Sequence, residues 1–267
     1  MNKYHLQIEG GLGAQIFGYI VYRYLISQGI DVILDLTYFT QKERVAKAGE
    51  GGVSIFSWKL GHYDIPLSAL ESHPIERSTG FLPRGGRRTV LRDGEKTKDK
   101  ILQQALIAGG YRSLFKIPSS YKMSAQQLLT SKKINICVHM RRGDYLNVAS
   151  HVIPSESFIY ISKLLCKITS PNLYILSDSN LEEQTRCSFE SLGAKILVDR
   201  DLYLSHALMR ESQILVCSNS QFSISAACLS SSQLSLIPNV HPLRMRLEGE
   251  SPPIFTEWTV MKRPGGQ

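Results

Sequence analysis

The chain has 267 residues, 43% of them apolar, with 31 lysines and arginines against 23 acidic residues and a formal charge of +8. At this length folding removes roughly 70–75% of the unfolded surface from water, so no metal or disulfide staple is needed, and one large or two modest domains fit. Wholesale disorder is excluded, and the positive balance favours an anionic partner: nucleic acid, acidic lipid or a phosphorylated small molecule.

The apolar stretch 17–26 is broken by Arg23 and falls short of the ~18–20 residues that a membrane-spanning helix requires. Gly10, Gly11 and Gly13 interrupt the layout of a secretory signal, so none is expected. Cys137, Cys166, Cys187, Cys217 and Cys228 are odd in number and not arranged as CxxC pairs. They read as reduced core thiols of a cytoplasmic protein of bacterial type.

In chain order, residues 4–9 alternate like a short strand, the glycines of 10–13 form a turn, 14–28 carry apolar residues at helical spacing, and 31–36 form a second strand. Turns are expected at 49–52, Pro66 and Pro74. Between 76 and 100 there are eight basic residues against four acidic ones, which reads as a solvated loop able to touch an anionic acceptor or a lipid head group.

From 134 onward apolar runs at 134–138, 172–176, 195–198, 214–217 and 234–237 alternate with helical patterns at 155–168, 180–192, 201–212 and 222–230. Such alternation predicts a parallel sheet covered on both faces. The fold class is therefore α/β with two Rossmann-like domains, 1–120 and 121–267, and ligands are expected at the carboxyl ends of the strands.

Four turns occupy those ends: Gly10 to Gln15, His139 to Tyr145, Ser177-Asp178-Ser179, and Ser218 to Ser223. Adjacent arginines at a strand end are costly to bury without an anion, and guanidinium forks match phosphate oxygens in bidentate geometry. The serine-rich turn before the last predicted helix adds hydroxyls and helix-terminal N–H groups, a common phosphate cradle. A diphosphate is the economical ligand.

GGLGAQ near the start, HxRRGDY in the middle and the later run through Val216-Cys217-Ser218-Asn219-Ser220-Gln221-Phe222-Ser223 resemble the ordered motifs of bacterial α-1,2-fucosyltransferases. The motifs cover about 80 residues. The resemblance implies a GT-B-like fold and inverting transfer of L-fucose from GDP-fucose to a galactose O2 of an oligosaccharide, with an N-terminal acceptor side and a C-terminal donor side. It also implies no metal or other cofactor and no nucleic-acid partner. An acceptor of the O-antigen kind, lipid-linked and met peripherally at the inner membrane face, fits that reading.

By the same resemblance Arg141 holds the β-phosphate and Arg142 supports the site, while His139 and Asp178 meet the guanine or ribose. Ser220, Gln221 and Phe222 line the diphosphate, and Gly11, Gly13 and Gln15 close the cleft from the first domain. The chain departs from the pattern at Ala14, where such families usually carry Asn. Charge builds on the departing diphosphate as the glycosidic bond breaks, so a fixed cation there favours the transition state. For the proton of the attacking hydroxyl, Asp144 is the first candidate base, with Glu9 or a distant Asp as alternatives.

Blander readings accompany these. Asp144 orients an arginine instead of acting as base, and Asp178 caps the helix predicted at 180–192. Asp199-Arg200-Asp201 is a turn and helix cap rather than a metal-binding DxD pair, because its arginine repels a cation. The glycine-rich turn lacks the third glycine of the dinucleotide fingerprint. Other functions that remain are fucose transfer to another position, transfer from another nucleotide sugar, and noncatalytic binding of a nucleotide or other anion.

Overall fold

The computed structural model describes residues 3–40, 57–72, 88–91, 96–129, 132–143, 146, 152–230, 234–238 and 258–260. The chain divides into two compact units, Met1–Leu114 and Phe115–Gln267. Among the described residues no helix is long and apolar enough to cross a membrane.

The first unit holds β1 (Lys3–Gln7), α1 (Leu12–Ser27), β2 (Val32–Asp35), the single turn α2 (Thr37–Thr40), β3 (Arg88–Leu91) and α3 (Lys96–Ala108). Its sheet has the order β2-β1-β3, parallel throughout. Gly10, at φ +78°, makes the turn from β1 into α1 in a region that glycine enters without steric cost. From Leu12 to Val21 every residue of α1 is buried, so this helix is a core element rather than a surface one.

In the second unit the chain runs through α4 (Ser119–Leu128), β4 (Asn135–Met140), α5 (Ser155–Thr169), β5 (Asn172–Ser177), α6 (Glu183–Glu190) and β6 (Lys195–Val198). It then returns through α7 (Leu202–Glu211), β7 (Ile214–Val216), α8 (Gln221–Leu229), β8 (Leu234–Pro238) and β9 (Trp258–Val260). The sheet order is β6-β5-β4-β7-β8-β9, with only the β8–β9 pairing antiparallel.

All six residues of β4 are buried, as expected of a central parallel strand with helices on both faces. On one face Ile136, Val138 and Met140 pack with Phe158 and Leu165 of α5 and Phe189 of α6. Burying Phe158 completely contributes about 1.5–3 kcal/mol. Elsewhere in the unit α4 packs on α7 and α7 on α8, with the Tyr121 and Tyr203 rings 5.5 Å apart.

Several sequence expectations need correction. Part of the predicted loop at 76–100 is ordered: Arg88–Leu91 adds β3 to the first sheet, and Lys96 opens α3. Strand β3 is held by its pairing with β1, and α3 by an apolar stripe, since Ile101, Leu102, Ala105 and Leu106 are buried. Residues 73–87 and 92–95, the turn at 49–52 and Pro74 lie outside the described residues. No disulfide links the cysteines, but only Cys137, Cys217 and Cys228 are buried, while Cys166 is half-buried and Cys187 exposed. Helix α6 starts three residues later than expected, with Glu182 as its N-cap, so Asp178 does not cap it.

Candidate functional site

From β4 the chain moves outward to β5 and β6, then jumps back to place β7 on the other side of β4. Strand order reverses between β4 and β7, and in open α/β sheets the crevice beyond the carboxyl ends at such a point is the ligand site. Segments following β4, β5 and β7 meet there.

His139 lies inside β4 rather than after it, and only 3% of its surface is exposed. Its Nδ1 is 2.7 Å from Ser218 Oγ beyond β7, and its ring meets Phe222 edge-on at 5.4 Å. Burial, reinforced by the neighbouring Arg141 charge, lowers its pKa to about 3. The imidazole is neutral at pH 7 and joins two strand ends from within.

The paired arginines part company. Arg142 is buried, donating from Nη1 to the Ile153 carbonyl and from Nη2 to Ser155 Oγ, each at 2.8 Å. Its guanidinium lies 5.7 Å from the Phe158 ring centre. Burial lowers its pKa against the opposing pull of Glu182, Asp178 and Glu156. This side chain pins the start of α5 to the strand end. Arg141 retains 23% side-chain exposure and forms a 3.0 Å ion pair through Nη1 with Asp178 Oδ2.

Asp178 follows β5 directly, and its Oδ1 accepts the backbone N–H of Arg142 at 2.6 Å. Both oxygens of Asp178 are thus engaged within the unit. Asp144, expected as base, and Tyr145 lie outside the described residues.

Beyond β7, Ser220 is the N-cap of α8, its Oγ accepting the Phe222 N–H at 3.3 Å. Ser223 Oγ lies 3.3 Å from Ser218 Oγ and donates to the carbonyls of Ser218 and Ser220. The half-buried Phe222 ring is flanked by His139 and by buried His206, whose Nε2 is 3.3 Å from Ser225 Oγ. Burial also holds His206 well below the ordinary histidine range, with Arg210 and His139 adding to it. Gln221 is half-buried at the mouth of the helix. Ser218 and Ser223 were visible only as parts of a motif; their hydrogen-bonding role depends on the β4–β7 neighbourhood.

The glycine-rich turn belongs to the first unit. Gly11 is the N-cap of α1, and Gly13 is buried in its first turn. Gln15 is fully buried, its Nε2 donating to the carbonyls of Gly10 and Ser57 at 2.8 and 3.0 Å and its Oε1 accepting the Lys59 N–H at 2.8 Å. This amide ties loops together inside the unit. At 199–201 Asp201 caps α7, accepting from the N–H groups of Tyr203 and Leu204. Among the described residues no group of three or more His, Cys, Asp or Glu is placed to hold a metal ion.

The edge thus presents the partly exposed Arg141 guanidinium held by a carboxylate, with a capped helix N-terminus following the neighbouring strand. These features suit a phosphate anion.

No family model matches the chain, and no curated protein matches it. Among solved structures, POFUT1 in complex with GDP-fucose aligns with a TM-score of 0.46 and 12% identity over 86% of this chain and 95% of that chain. Fucosyltransferase NodZ from Bradyrhizobium aligns with a TM-score of 0.43 and 13% identity over 88% and 95%. The NodZ α-1,6-fucosyltransferase co-crystallized with GDP gives 0.46 and 12% over 89% and 94%.

Proposed function

We propose that the chain is a GT-B-like glycosyltransferase that moves L-fucose from GDP-fucose to an oligosaccharide hydroxyl, with inversion and without a metal. The observation that carries the reading is Arg141, partly exposed and paired with Asp178 at the carboxyl edge of β4. It stands beside the point where strand order reverses, within a motif that resembles the HxRRGDY of fucosyltransferases.

As the bond from sugar C1 to the diphosphate oxygen breaks, its electron pair passes to that oxygen. Arg141 neutralises the charge as it grows, which favours the transition state over the bound substrate. The acceptor oxygen forms the new bond from the opposite face of the ring and releases its proton to a base, for which Asp144 remains the candidate. Ser220, Gln221 and Phe222 border the diphosphate at the start of α8. Neutral His139 acts by fixing Ser218 and the ring of Phe222, and Arg142 acts by anchoring the loop. The second unit takes the donor, and the first takes the acceptor, for which O2 of a galactose is the proposed target.

The test is transfer from GDP-fucose, compared with GDP-mannose and UDP-galactose, to galactose-terminated oligosaccharides. NMR of the product then assigns anomeric configuration and position. Selective transfer from GDP-fucose giving an α-linked product supports the reading; preference for another donor refutes it.

A further inference from the structure

We infer that Asp178 is a positioning residue for Arg141, and that Gly143 is glycine in order to seat it; the inference rests on the proposed contact between Arg141 and a nucleotide β-phosphate. The sheet itself brings the pair together. His139 is level with Leu176 and Met140 with Ser177, so the next residues along the two parallel strands are Arg141 and Asp178.

The two oxygens of the carboxylate divide their work. Oδ1 accepts the Arg142 backbone N–H at 2.6 Å, and Oδ2 receives Arg141 Nη1 at 3.0 Å. A Cβ placed on Gly143 would lie 2.5 Å from Oδ2 and 3.3 Å from Cγ, so any side chain there would push the carboxylate away. Behind it, Ser177 Oγ donates to the Ser179 carbonyl at 2.7 Å and closes the turn on the β5 side.

The carboxylate is therefore held by backbone and packing independently of Arg141, which makes it the fixed member of the pair. It holds the guanidinium by one nitrogen. An arginine ordered before the ligand arrives loses less rotamer freedom on binding, which raises affinity without a new contact. A nearby carboxylate also weakens the positive field. Because its seat is rigid, positioning outweighs that cost.

The experiment measures calorimetric affinities of the full chain for GDP and GMP, in the wild type, Asp178→Asn, Arg141→Ala and the double variant. In Asp178→Asn the amide oxygen can still accept from Arg142, but its N–H₂ faces the guanidinium donor and releases it. GDP affinity is expected to fall by about tenfold with GMP affinity unchanged, and the substitution should add less than about twofold once Arg141 is alanine.

Wild-type or tighter GDP binding by Asp178→Asn overturns the inference, as does an equal loss in the Arg141→Ala background. Arg141→Ala with an unchanged preference for GDP over GMP removes the proposed β-phosphate contact itself, and the inference with it. Should Asp178→Asn fail to fold, Gly143→Ala crowds the carboxylate from its seat while keeping its charge. It should lower GDP affinity and spare GMP, and an unchanged preference again overturns the inference.

Discussion

The Nδ1 of His139 and the Oγ of Ser218 lie 2.7 Å apart, joining the ends of β4 and β7 at the place where the second sheet reverses its strand order. A buried imidazole fills that position, and its burial has a measurable consequence. The folded state holds the His139 pKa at about 3, against about 6.5 in the unfolded chain. As pH falls below 6.5 the unfolded state takes up the proton first.

Stability contributed by neutral His139 is therefore complete above pH ~6.5 and declines by about 1.4 kcal/mol per pH unit towards pH ~3. His206 acts in the same direction. Denaturant unfolding at pH 7 and pH 5 should show the wild type losing more stability than His139→Asn over that interval. Equal losses would contradict the buried neutral state.

Arg141→Ala should lower the rate of fucose transfer by ~10²–10³, the scale for deleting one preorganised donor to developing charge. Arg141→Lys should recover little, since an ammonium cannot form a bidentate contact. Initial rates with saturating GDP-fucose decide this, and rates unchanged by EDTA are expected in the same assay. Loss of activity in EDTA, restored by Mg²⁺ or Mn²⁺, would contradict the role given to the arginine.

Gln15 makes three hydrogen bonds with no solvent exposure. Gln15→Leu removes all three hydrogen bonds, at a cost of about 1–3 kcal/mol for each group that stays buried. A loss of at least ~2 kcal/mol in chemical denaturation is expected. A stability close to wild type would show that the amide is dispensable to the first unit.

Asp201→Ala removes the cap of α7 and should cost ~1 kcal/mol of stability, with no change in the response of transfer activity to divalent cations. A cation dependence altered by this substitution would revive the DxD reading of 199–201.

Much of the second unit was legible because buried parallel strands are short apolar runs and the helices between them carry regular stripes. The predicted run 195–198 coincides with β6, and 172–176 and 234–237 fall one residue short of β5 and β8. The central strand was cut short because His139 is polar and therefore read as the start of a loop; its burial depends on Ser218 and Phe222, which arrive from elsewhere in the chain. Helix α4 escaped notice since only Ala125 of it is buried, too little for a stripe. Strand β3 and the start of α3 were hidden by surrounding charge.

At the candidate site, Arg141 and Asp178 were each singled out from their places behind apolar runs. Their pairing was not, because it follows from the register of β4 with β5, which no local pattern carries. The different fates of Arg141 and Arg142 are likewise decided by tertiary partners: the Ile153 carbonyl and Ser155 claim one guanidinium, and Asp178 claims the other.

The most direct measurement is a crystal structure of the chain with GDP bound, read for the distance from the Arg141 guanidinium to the β-phosphate. The account predicts a hydrogen-bonded contact of about 2.7–2.9 Å, with the Asp178 ion pair retained behind it. A nucleotide seated at another edge of the sheet, or a β-phosphate beyond reach of Arg141, would contradict it.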